Sequence, residues 1–135
     1  LVHQLRNVCS RMIIGGNTVR LDRPTLDCRF TGDNAPNITI YSRQDNFDRD
    51  IPLFGVEDRE VKITNKLDLD KPSFLLVEGG EGMLNALKDR VDWLLQYQTP
   101  KLSTHNSCYN INMKLEFLYQ ESKGCDLMLW SRVCH

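Results

Sequence analysis

The sequence predicts an α/β fold built on a mostly parallel sheet with an antiparallel hairpin at its carboxyl end. Two short apolar runs, Arg11 to Gly15 and Ser73 to Val77, each lead into paired glycines and then into a stretch of helical character. That strand, glycine and helix order is the repeating unit of a parallel sheet, whose strands need helical crossovers. The third observation lies late in the chain. Lys114-Leu115-Glu116-Phe117-Leu118-Tyr119 and Asp126-Leu127-Met128-Leu129-Trp130-Ser131 flank a turn containing Gly124 and read as an antiparallel pair.

At 135 residues, 41% hydrophobic and 26% charged, the chain is expected to form one domain over residues 1–135. A net charge of −1 offers no general positive field, so nucleic acid is not expected as a partner. The five cysteines are odd in number and form no Cys-x-x-Cys pair, which disfavours disulfides and zinc. No apolar run approaches the ~20 residues that cross a bilayer, and no signal peptide is evident. These features point to a cytoplasmic protein with reduced thiols. The sequon Asn37-Ile38-Thr39 opens a strand and is read as chance. The chain starts at Leu1 inside a helical stretch (His3, Gln4, Leu5, Arg6), so a preceding segment is expected.

The elements follow in order. Arg11 to Gly15 is the first strand, and a short Thr-led helix stopped by Pro24 comes next. Asn37 to Ser42 alternates Ile38 and Ile40 with polar neighbours and reads as a second strand. Residues 43 to 70 are too acidic for core except at Val61-Lys62-Ile63-Thr64, which predicts loops around one edge strand. Ser73 to Val77 is the most apolar run and is expected at the centre of the sheet, covered on both faces. Met83, Leu84, Leu87 and Val91 recur at helical spacing, opposite Asn85, Lys88, Asp89 and Arg90. Asp92 to Gln98 alternates Trp93, Leu95 and Tyr97 as a further strand before Pro100, and residues 103 to 112 are polar and irregular.

Ligands of open α/β sheets bind beyond the carboxyl ends of the strands, where both glycine pairs fall. Neither pair is a Walker loop or a full Gly-x-Gly-x-x-Gly fingerprint, and each alone also suits a plain tight turn. Arg6, Arg11, Arg20, Arg23 and Arg29 make the first 29 residues locally cationic, while every lysine lies at or beyond Lys62. Arginine's planar fork suits a small phosphorylated ligand; the alternative is a solvated basic face. Glu78 ends an apolar strand, where it either holds a ligand's hydroxyls or caps backbone N–H groups. Thr18 and Asp22 share a helix face, though Thr18 also fits a helix cap. His3, His105 and His135 have no partner at metal-ligand spacing, and no Ser-His-Asp set can be picked out.

The blocks His3-x-Leu5-Arg6, Gly15-Gly16-x-Thr18-Val19-x-x-Asp22-x-Pro24-x-Leu26-x-x-Arg29 and Val77-Glu78-Gly79-Gly80 resemble the reductase domain of riboflavin biosynthesis. That domain is the carboxyl-terminal half of the bifunctional pyrimidine deaminase/reductase, and the resemblance covers residues 3 to about 100. It implies a three-layer dihydrofolate-reductase-like fold in which NADPH reduces the ribose C1′ of 5-amino-6-(5-phosphoribosylamino)uracil to a ribityl chain. It further implies that Thr18, Asp22, Ser42 and the turn Gly80, Glu81, Gly82, Met83, Leu84, Asn85 and Ala86 contact NADPH. Arg6, Leu26, Arg29 and Glu78 would contact the substrate, with no side chain assigned as an essential catalyst and no metal. Family members are often dimers, so a homodimer is expected.

Arg23 and Glu81 depart from the family's usual residues, and residues 103 to 112 lack its glycine-bearing pattern. The family's first strand, with its Ser-Leu-Asp-Gly segment, and the zinc deaminase domain are absent from the sequence, so weak activity of this stretch alone is expected. A dihydrofolate-reductase-like enzyme acting on a pterin and a noncatalytic nucleotide-binding fragment are the alternatives. The arginine cluster argues against the pterin, which carries no phosphate.

Overall fold

A computed structural model describes residues 1–28, 35–71, 73–101 and 110–135, which fall into two compact units, Leu1–Met83 and Leu84–His135. Most of the irregular stretch 103 to 112 lies outside the described residues.

The first unit is organised by β1 (Arg11–Gly15), whose inner residues Met12, Ile13 and Ile14 are all buried. An apolar run without alternation can be buried on both faces only inside a sheet. Accordingly β1 pairs in parallel with β2 (Asn37–Tyr41) on one side and with β4 (Leu75–Glu78) on the other. The edge strand β3 (Val61–Thr64) completes the order β3-β2-β1-β4. The helices α1 (Val2–Val8) and α2 (Gly16–Asp22) flank β1 in sequence.

Two expectations change here. The run around β4 was expected at the sheet centre, yet β4 ends the strand order and all four of its residues are only half-buried. β1 and β2 take the interior because each supplies three consecutive buried residues, whereas β4 makes a ladder along one edge only among the described residues. The acidic segment from 43 to 70 also contributes to the core. Phe47, Ile51 and Leu53 are buried against Met12, Ile14, Val19, Ile38 and Ile40, with Pro52–Gly55 forming a 3-10 turn. Apolar residues spaced among carboxylates gave no periodic signal, although the charged neighbours simply face outward.

The second unit carries β5 (Trp93–Gln98), β6 (Lys114–Lys123) and β7 (Asp126–Cys134) in the antiparallel order β5-β7-β6. The hairpin turns at Gly124, whose φ of 64° lies in the left-handed region that a side chain disfavours. The β6–β7 register slips between Phe117 and Tyr119, leaving Leu118 as an extra residue. Trp93 and Trp130 meet edge to face with ring centroids 6.2 Å apart. Helix α3 (Glu81–Leu87) is shorter than the apolar spacing out to Val91 predicted, because the chain turns off where Arg90 N–H donates to the Leu87 carbonyl at 2.8 Å.

Cys9 follows α1 in the core, and burial, followed by the nearby Cys28, pushes its thiol from 9.0 up to about 11. The folded chain thus keeps the Cys9 proton to higher pH than the unfolded chain does. Its contribution to stability is complete below about pH 9 and is lost as pH rises toward 11. Urea unfolding across that range should show a loss of stability that Cys9→Ala lacks; equal pH slopes for both proteins would contradict this.

Candidate active site

The register of β1 with β4 places Ile14 beside Glu78, so Gly15-Gly16 and Gly79-Gly80 leave neighbouring parallel strands at the same end. One side chain fastens the two turns. A Cβ added to Gly15 would lie 3.3 Å from Met83 Cγ, and one added to Gly79 would lie 2.7 Å from the same atom. Met83 therefore occupies space that only glycines leave open. Gly80 and Gly82 have nothing within 4 Å of an added Cβ, so a ligand can approach their backbone.

Gly16 presses the start of α2 against Ser42, whose Cβ and Oγ would stand 2.8 Å from an added Cβ. Ser42 directly follows β2, accepts from Gln44 N–H at 3.2 Å and donates to the Gln44 carbonyl at 2.8 Å. Thr18 lies inside α2, which has Gly15 as N-cap and no side-chain cap, so the capping role considered for Thr18 is not the one it has. Its hydroxyl would lie 3.7 Å from a Cβ on Gly15. Asp22 is exposed in the last turn of α2, before Arg23 (φ 45°) ends the helix. Glu81 is half-buried in the first turn of α3, and Leu84, Asn85 and Ala86 continue that helix into the second unit.

The proposed substrate residues also gather in the first unit. Arg6 reaches from α1 to Glu78 as a two-pronged ion pair, Nε donating to Oε1 at 2.8 Å and Nη2 to Oε2 at 2.9 Å. Glu78 thus spends its carboxylate on a cation. Burial pulls the Arg6 guanidinium down, but bonding and attraction to Glu78 outweigh it, and its proton is held more tightly than usual. Arg6 Nη1 also donates to the Asp27 carbonyl at 3.4 Å, which His3 Nδ1 meets at 3.2 Å. Leu26 is buried with φ 56°. Arg29 lies outside the described residues.

One participant escaped the sequence reading. Arg59 donates from Nη1 to the Thr25 carbonyl at 2.6 Å and to the Leu53 carbonyl at 3.4 Å, and from Nη2 to the Leu26 carbonyl. It holds the left-handed turn at Leu26, and burial lowers its pKa. Its only sequence signal is an arginine between Asp58 and Glu60 ahead of β3, which looks like an ordinary charged surface. No cluster of His, Cys, Asp or Glu able to hold a metal occurs among the described residues.

No family model matches the chain. A 42-residue stretch is 50% identical to the riboflavin biosynthesis protein RibD of Synechocystis sp., covering 31% of this chain and 11% of that protein. The solved deaminase/5-amino-6-(5-phosphoribosylamino)uracil reductase of Thermotoga maritima superposes with a TM-score of 0.75 at 20% identity over 98% of this chain. The chain spans about half of that protein, 48% of its length. Dihydrofolate reductase of Enterococcus faecalis, complexed with NADP(H), is more distant, with a TM-score of 0.53 at 8% identity over 90% of this chain and 73% of that one. The fold is therefore dihydrofolate-reductase-like, and the resemblance read from the motif blocks is met in both sequence and fold.

Gly79→Ala should force Met83 aside and destabilise the first unit by about 1–3 kcal/mol. Urea denaturation at neutral pH measures this, and an unchanged midpoint and slope would mean that Met83 does not wedge the two turns.

Proposed function

We propose that this chain is the reductase part of a riboflavin-pathway enzyme that reduces the ribose of 5-amino-6-(5-phosphoribosylamino)uracil with NADPH. The observation that carries the reading is the meeting of both glycine turns around Met83 at the carboxyl ends of β1 and β4. The identity to RibD and the fold of the Thermotoga enzyme support it. The open backbone at Gly80 and Gly82 fits close approach of a dinucleotide. Thr18, Asp22, Ser42 and residues 80–86 would hold the cofactor, and Arg6, Leu26, Arg29 and Glu78 the substrate.

When bound, NADPH would supply the hydride for C1′, and the ribose ring oxygen would take its proton from water as the C1′–O bond opens to the ribityl chain. The protein's own residues bind and orient. Arg6 would offer its guanidinium to the substrate's 5′-phosphate, with Glu78 holding it in place through both carboxylate oxygens. Arg59 fixes the turn that presents Leu26. Holding two reactants in one geometry is the main contribution required, so no single side chain need act as acid or base.

Mixing the chain with NADPH and the aminopyrimidine ribose phosphate should oxidise the nucleotide and yield the ribityl product; no turnover, or turnover only with dihydrofolate, would reject the reading.

We further infer a homodimer in the cytoplasm. Exposed Phe117, Tyr119 and Trp93 on the second unit support a second copy as partner, and the free thiols among the described residues suit a reducing compartment. Light scattering should return twice the chain mass, and a monomer mass at micromolar concentration would remove the dimer.

A further inference from the structure

Pro24-Thr25-Leu26-Asp27 belongs to no helix or strand, yet each of its four carbonyls accepts a hydrogen bond from a distant residue. Leu53 N–H donates to the Pro24 carbonyl at 3.0 Å. Arg59 takes the next two with its terminal nitrogens, Nη1 on Thr25 and Nη2 on Leu26. Arg6 Nη1 and His3 Nδ1 meet at the fourth, on Asp27. Two non-glycine residues of this bend, Arg23 (φ 45°) and Leu26 (φ 56°), are held in left-handed backbone. Such backbone at a bulky side chain persists only where neighbours over-determine it, and it gathers at ligand sites.

Arg59 is a costly choice for this position. Burial disfavours its charge, and its Nε is buried without a hydrogen-bond partner. An apolar side chain would fill the same space without that cost. What it could not do is hold two successive carbonyls at the spacing of a planar fork. The Nη1 of Arg59 also reaches the Leu53 carbonyl, so one guanidinium ties the 3-10 turn Pro52–Gly55 to the bend. Arg59 and Arg6 thereby grip neighbouring carbonyls of a single backbone run, and a shift at Thr25 and Leu26 is passed on to the contact of Arg6 with Asp27.

We propose that Arg59 is a positioning residue for the substrate half of the site: its fork pre-sets residues 24–27, and with them Leu26 and the Arg6 guanidinium, before the aminopyrimidine ribose phosphate arrives. The proposal rests on the reading of Arg6 and Leu26 as substrate residues. It goes beyond that reading by placing control of substrate affinity in a residue ahead of β3 that bonds carbonyls and not the ligand. Thr18, Ser42 and the two glycine turns lie outside this clamp, so affinity for NADPH does not depend on it.

Steady-state kinetics and NADPH titration of Arg59→Gln and Arg59→Lys test this. Both variants should raise KM for the aminopyrimidine ribose phosphate roughly ten- to a hundredfold, with kcat changed less than about threefold and NADPH affinity unchanged. Lysine keeps the charge but not the fork, so it should fare no better than glutamine. An unchanged KM in either folded variant overturns the role; if lysine alone restores it, Arg59 acts as a distant charge on the phosphate instead. Loss of NADPH binding together with the cooperative urea transition in both variants reduces Arg59 to a fold-stabilising residue and also overturns the role. Each of these results leaves the reductase reading standing. A wild-type chain that neither binds nor turns over the aminopyrimidine ribose phosphate sinks the reading and the role together.

Discussion

The parallel ladder between β1 and β4 is the constraint on which the site depends. Strand pairing fixes Ile14 opposite Glu78, and from that alignment the two glycine turns must emerge side by side. A slip of one residue would send each side chain to the other face of the sheet. Met83 then converts proximity into a fixed distance, since its thioether chain fills the volume that both glycines leave. Long unbranched methionine suits a gap of irregular shape. The surrounding polar groups are positioned from this frame: Glu78 by the end of β4, Arg6 by its two bonds to Glu78, and Ser42 by the end of β2 next to Gly16.

Much of this frame was legible in the sequence. The apolar run of β1, the alternating isoleucines of β2, the helix stopped at Pro24, and the hairpin through Gly124 all follow from periodicity and turn chemistry, although Thr39 between those isoleucines is buried too. The shared location of the glycine pairs followed from the rule that parallel strands point their carboxyl ends the same way. The order of strands did not follow, because apolar content says how much a strand wants burial, and neighbours decide how much it receives. β4 is as apolar as a central strand, yet β1 and β2 take the interior. Phe47, Ile51 and Leu53 were hidden by the carboxylates between them.

The arginines show the same limit more sharply. As sequence, Arg6, Arg20 and Arg59 are alike. In the fold, Arg6 is bound to a carboxylate, Arg59 to the carbonyls of a left-handed turn, and Arg20 to neutral side chains and an aromatic face. The electrostatic result differs accordingly: Glu78 holds the Arg6 proton, whereas burial among carbonyls works against that of Arg59. Side-chain chemistry sets what an arginine is able to do, and long-range contacts set which task it receives.

The extra residue Leu118 has a consequence for the sheet's outer margin. Among the described residues β6 is the last strand of its sheet, with one row of its peptide groups outside the ladder, and such a row is a template on which further strands add one after another. The dislocation at Leu118 divides that row into two short lengths, and Lys114, Glu116, Glu121 and Lys123 would set like charges against any identical strand laid beside it in parallel register. Both features work against the stacking of identical strands on this edge, even though Phe117 and Tyr119 stand bare on it.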